Sequence, residues 1–114
     1  MSPALVAISV GVALILVSLL MWWSGGLRVV KARDLLAQGA TFIDVDSPEQ
    51  YASSHPEGAQ NVPFERLPTV APELGPHDHP IVVYAHGAWR STFAAWRLRA
   101  IGFHEVVNMR MARP

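Results

Sequence analysis

Between Pro3 and Trp23 the chain reads "PALVAISVGVALILVSLLMWW", twenty-one residues without a charge. As a helix rising about 1.5 Å per residue, such a run spans roughly the 30 Å hydrocarbon core of a bilayer. Residues 3–23 are therefore expected to form a single transmembrane helix in contact with the lipid bilayer. A cleaved secretory signal would place basic residues ahead of a shorter apolar core closing on a small-x-small site. Here only Met1 and Ser2 precede the run, and Trp22 and Trp23 end it, as suits an interfacial aromatic belt. Arg28, Lys31 and Arg33 follow closely while the N-terminal flank carries no Lys or Arg. That bias places the C-terminal domain on the cytoplasmic side of an inner or plasma membrane. Ala7 with Gly11 and Ser9 with Ala13 have the spacing that lets two helices approach, which would give a weak homo-oligomer. The simpler reading of these positions is small residues facing lipid.

The rest of the 114-residue chain has room for one small domain. Two glycines in succession are costly in a helix, so "SGG" at Ser24 to Gly26 is expected to break it. The chain then divides into an anchor and hinge, 1–26, and a domain, 27–114. Nine Lys+Arg balance nine Asp+Glu, and every charged side chain lies from Arg28 onward. A neutral domain of this kind is not expected to bind nucleic acid. There is no cysteine, which excludes disulfides, thiolate metal sites and thiol nucleophiles.

Downstream, "VVKARDLLAQG" predicts a short amphipathic helix that uses Val30, Leu35 and Leu36 and stops at Gly39. "TFIDV", Thr41 to Val45, predicts a strand ending in carboxylates. "DSPEQYASS" predicts a short helix capped by Asp46 or Ser47, with Pro48 in its first turn. A short strand around Ala59 to Val62, a helix start near Phe64 and a surface loop over Ala71 to Pro80 follow. "IVVY" is apolar without alternation, as in a strand buried on both faces. "RSTFAAWRLRAIG" predicts a helix with Phe93, Ala94, Trp96, Leu98 and Ile101 as its apolar positions, and "HEVVNM" a last strand. The alternation implies an α/β fold, a mainly parallel sheet flanked by helices and preceded by the single transmembrane helix.

With "FIDVDSPEQYASSHPEGAQNVP", "IVVYAHGAWRS" and "IGFHEVVNM" in this order, the soluble part resembles the rhodanese-like domain. Asp44, Glu49, Tyr51, His55, Gly58, Ala59, Asn61 and Pro63 fall where the family pattern expects them. The resemblance implies a loop after the central strand whose backbone N–H groups, with the N-terminus of the next helix, hold a persulfide or another anion. It also places the catalytic cysteine of active members at Ala85, and a methyl group can neither attack sulfur nor carry it. The anion-binding loop would be Ala85, His86, Gly87, Ala88, Trp89 and Arg90, with Arg90 matching the family's basic residue. Asp44 and Ser91 are accessory candidates, Ser91 as a cap of the helix. Two further departures are Asp46, where arginine is common in the family, and the absence of the usual closing C-terminal helix after "MRMARP". The second would leave one sheet face for a protein partner or the membrane surface to cover, or a domain of marginal stability.

The expected function is therefore a membrane-anchored, catalytically inactive rhodanese-like domain that binds an anion or a protein partner as a regulatory module, with no cofactor. The alternative is an enzyme, either a sulfurtransferase that relies on a partner's thiol or a phosphatase-like hydrolase using His86. A third reading is a structural anchor. No metal site is expected: His77 and His79 flank Asp78 in a loop without a distant fourth ligand, and His55 and His104 read as structural or exposed. Trp89 could fill the pocket over Ala85, stack on a ligand or anchor a partner, with filling or packing the favoured reading, and Trp96 is expected to pack in the core.

Overall fold

The computed structural model describes residues 2–110; the last four residues of "MRMARP" lie outside the described residues. Its first element, α1, runs unbroken from Pro3 to Ala37. Ser2 caps it by accepting from the Leu5 N–H at 3.2 Å, and Pro3 takes the first helical position, where its missing N–H costs nothing. The expected break at Ser24 to Gly26 does not occur, and the separate helix expected from Val30 is the last part of α1. Ser24 Oγ donates to the Met21 carbonyl within the helix at 3.0 Å. The turns beyond are fixed by packing, since Ala32 and Leu35 are buried against the sheet. Each glycine costs the helix about 1 kcal/mol relative to alanine, which weakens it at this point without ending it. At about 1.5 Å per residue, a helix of 35 residues is about 52 Å long, far more than the roughly 30 Å of a hydrocarbon core. Its C-terminal part belongs to the domain.

The helix ends as its sequence predicts. Gly39 has φ +95°, its N–H donates to Leu36, and the Ala40 N–H donates to Leu35 at 2.9 Å, which satisfies carbonyls that the helix end would otherwise leave open. Gln38, Gly39 and Ala40 alone separate α1 from β1, Thr41–Asp44. The remaining elements are α2 Pro48–Ser53, β2 Gln60–Asn61, α3 Leu67–Val70, β3 Ile81–Tyr84, α4 Ala88–Ile101 and β4 Val106–Arg110, with 3-10 turns at Phe64–Arg66 and Ala71–Leu74. All strand pairs are parallel, in the order β2-β1-β3-β4. Ile81, Val82, Val83 and Tyr84 are all buried, as a central strand covered on both faces requires. The expected surface loop is partly folded into the core, where Ala71 and Leu74 are buried.

One face of the sheet packs Ile43, Val45, Val83 and Ala85 against Leu67, Ala94, Ala95 and Leu98 of α3 and α4. The other packs Phe42, Val82, Tyr84, Val107 and Met109 against Ala32 and Leu35 of α1. The C-terminal part of α1 therefore packs on this face. Because α1 turns back so tightly into β1, it runs against the strands. Met109, near the C-terminal end of β4, shares a groove with Trp22, Trp23 and Gly25. The C-terminal edge of the sheet points toward the apolar part of α1.

Candidate functional site

Parallel strands deliver their C-terminal residues to one edge, and here β1 and β3 bring Asp44, Val45 and Asp46 beside Tyr84, Ala85 and His86. Ala85 is fully buried among core side chains. Nothing at the expected nucleophile position faces solvent.

The six residues Ala85 to Arg90 do not form one loop. Gly87 is the N-cap of α4, so Ala88, Trp89 and Arg90 are its first turn. The turn is also already occupied by protein groups. Asp46, 4% exposed, accepts from the His86 backbone N–H at 3.1 Å through Oδ2 and at 3.2 Å through Oδ1. Its Oδ2 also lies 2.6 Å from His86 Nδ1. A carboxylate of the chain itself therefore sits where the loop would offer its amide to an outside anion. Arg90 is likewise committed: Nε donates to the Val45 carbonyl at 2.6 Å and its terminal nitrogen to both oxygens of Glu65 at 3.0 and 3.1 Å. Ser91 does not cap the helix. It is buried inside the first turns, and its Oγ donates to the Ala88 carbonyl at 3.1 Å.

Asp44 has two roles. Its Oδ1 accepts from the Asp46 N–H at 2.9 Å and holds the turn after β1, while Asn61 Nδ2 clamps the same turn by donating to the carbonyls of Asp44 and Asp46. Its Oδ2 is buried with no hydrogen-bond partner among the described residues. Burial, and then the Asp46 carboxyl beside it, push the Asp44 carboxyl from 3.8 up to about 6; the Asp46 N–H and His86 pull the other way. Donor atoms of Asp44, Asp46 and His86 lie within 4.8 Å of one another. The sequence singles out Asp44, Asp46 and His86 separately and does not reveal the trio. Only the position of Asp44 and Asp46 at the end of one strand, and of His86 at the end of another, hints at it.

A family model for the rhodanese-like domain matches residues 29–111, the whole sheet with α2 to α4 and the last part of α1. The chain belongs to the rhodanese-like family. Among similar proteins, YqhL of Bacillus subtilis (strain 168) is 34% identical over 71 residues, which cover 62% of this chain and 56% of that protein. The chain thus spans a little over half the length of this curated relative. The rhodanese-like domain of the Anabaena sp. Alr3790 protein superimposes with a TM-score of 0.57 at 28% identity, over 66% of this chain and 83% of that one. The human single-domain sulfurtransferase TSTD1 gives a TM-score of 0.62 at 24% identity, over 70% and 83% of the two chains, and shows the shared fold.

In this rhodanese-like domain the other sequence candidates are scattered. His77 packs edge-on against Phe103 at 5.3 Å between ring centres and accepts the His104 N–H on its backbone oxygen. Its ring leaves no room for a Cβ at Gly102, which has φ +129°. His79 packs near Gly75, and His55 stacks on Tyr51 with 3.7 Å between ring centres. Trp89 does not close the space over Ala85: it is 77% exposed and stacks on Phe93. Trp96 is not a core residue either, being 61% exposed and packed edge-on against Phe93. The buried stripe of α4 is Ser91, Ala94, Ala95 and Leu98. Ser91, Ala94 and Ala95 are small enough to let the helix backbone lie close to the sheet, Leu98 fills the core beyond them, and the aromatic stripe faces outward.

Proposed function

We propose that this is a membrane-anchored rhodanese-like domain, facing the cytoplasm, that carries out no cysteine-based sulfur transfer and serves as a binding or regulatory module at the C-terminal edge of its sheet. The observation that carries this reading is the buried methyl of Ala85 at the end of β3 in a chain without cysteine. The anchor is supported by α1, which is long and apolar enough to cross a membrane and whose most apolar stretch is not buried in the fold. The direction of the strands supports an edge turned toward the bilayer. Because Asp46 and Glu65 already engage His86 and Arg90, a free small anion is disfavoured as the ligand of the turn.

The test is sulfur transfer from thiosulfate to cyanide by the full-length chain in detergent, alongside Ala85→Cys. No turnover is expected from the unaltered chain, and turnover would overturn the reading. The Asp46 and His86 pair favours a second reading, a hydrolase in which the carboxylate orients the imidazole as a general base. That reading requires a measurable phosphatase activity that His86→Ala abolishes. Ser91 is unsuited as its nucleophile, because the hydroxyl is buried and already donates within the helix.

A further inference from the structure

The turn that was expected to hold an anion is built from two carboxylates and an imidazole. From this we infer that Asp44, Asp46 and His86 form a binding site for one divalent first-row transition cation. This deepens the binding-module reading by naming the ligand class, and it rests on that reading only for the role of the bound ion.

Three observations converge. The first is the donor set itself: one carboxylate oxygen each from Asp44 and Asp46 and one imidazole nitrogen from His86, all within 4.8 Å of one another. Ligand bonds of about 2.0–2.2 Å in a tetrahedral site place donors about 3.3–3.6 Å apart, so the shell closes by side-chain movements of at most about 1.5 Å. The 2.6 Å contact between Asp46 Oδ2 and His86 Nδ1 opens by under about 1 Å to admit an ion with such bonds. The second is Asp44 Oδ2, a fully buried carboxylate oxygen without a partner among the described residues, beside the Asp46 carboxyl. A buried acceptor left open is costly; a proton shared with the Asp46 carboxyl satisfies it, and a cation bound between the two carboxylates takes that proton's place. The third is support around the ligands. Asp46 is positioned through its own main chain, the N–H held by Asp44 Oδ1 and the carbonyl by Asn61. His86 is fixed by its backbone N–H. Ligands whose frame is held by other bonds are what a metal site needs.

Oxygen and imidazole donors without thiolate suit Zn2+, Mn2+, Fe2+ or Co2+ rather than Cu(I). Three protein ligands leave at least one coordination position for water or for a group brought by a partner. His86, whose side chain is 29% exposed against 5% for Asp46, marks the side from which the ion enters.

The experiment uses the full-length chain in detergent, stripped with a chelator and titrated with Co2+ by absorption spectroscopy and with Zn2+ by calorimetry. One equivalent is expected to bind, with visible cobalt bands of a low-coordinate site. Asp44→Asn, Asp46→Asn and His86→Gln are each expected to weaken binding by at least about tenfold, while His104→Gln, at an exposed position, leaves it unchanged. Thermal unfolding of each variant establishes that it is folded. The near-isosteric Asp44→Asn is the deciding variant if either of the others fails to fold. Absence of stoichiometric binding by the unaltered chain overturns the site, and so does binding unchanged in folded Asp44→Asn. Thiosulfate turnover by the unaltered chain would instead overturn the inactive-module reading and leave the cation site standing, so the two failures are distinguishable.

Discussion

The Asp46 carboxylate holds His86 twice, by its backbone N–H at 3.1 Å and by its ring Nδ1 at 2.6 Å. The first bond fixes the end of β3 against the end of β1; the second sets the imidazole. Asp46→Ala removes both acceptors and leaves a half-buried N–H open, whereas Asp46→Asn keeps one oxygen for it. The Ala variant is expected to be less stable than the Asn variant by about 1–3 kcal/mol. Chemical denaturation of the two at neutral pH, with chelator present, checks the order. Equal stabilities would mean that water replaces the carboxylate at no cost.

Asp44 gives the domain a pH dependence of defined sign. Its carboxyl is raised to about 6 in the fold against an ordinary 3.8, so the folded chain keeps a proton that the unfolded chain has released. Its stabilising contribution is complete below about pH 3.8 and is lost as the pH rises through about 6. Each tenfold difference in proton affinity between the two states is worth about 1.4 kcal/mol, so the loss is of order a few kcal/mol. Metal-free Asp44→Asn is expected to lack this component. Comparing its unfolding midpoint with that of the unaltered chain across this interval is the measurement, and parallel profiles would refute the assignment.

The glycines at 25 and 26 lie inside a continuous helix, and a Cβ at either position meets nothing within 4 Å. Gly25→Ala and Gly26→Ala should therefore each stabilise α1 by about 0.4–1 kcal/mol. Increased helicity by circular dichroism and slower amide exchange around these residues are expected. A loss of helicity would show that the chain bends there.

The two faces of α4 make opposite predictions. Ala95 is 1% exposed and Trp96 61%. Ala95→Leu overfills the space between helix and sheet and should cost about 1–3 kcal/mol. Trp96→Gln, for all the size of the indole, should stay within about 0.5 kcal/mol of the unaltered chain. Thermal unfolding of the pair tests which stripe faces the sheet, and the reverse order would mean that the helix is rotated.

That pair also marks the limit of what local sequence encodes. The spacing of α4 carries two stripes, Ser91-Ala94-Ala95-Leu98 and Trp89-Phe93-Trp96, and hydrophobicity alone favours the aromatic one. The sheet takes the other, whose Ser91, Ala94 and Ala95 permit close approach while Leu98 fills the core. In α1, the two glycines predict a break, yet the helix runs through them from Pro3 to Ala37. By contrast, the Gly39 stop, the Ser47 cap with Pro48 behind it and the buried β3 are legible, since each depends on neighbours in sequence.

The sequence by itself determined the family, the apolar length of the N-terminal helix and the loss of the thiol, because motif order, hydropathy and the identity of residue 85 need no third dimension. The tertiary structure decided what the site consists of. Asp46 and His86 are 40 positions apart, as is the separation of their contact, and Arg90 reaches back 45 to Val45. Which charges meet across such distances is set by the parallel pairing of β1 with β3, and that pairing turned an expected anion cradle into a carboxylate-lined cluster.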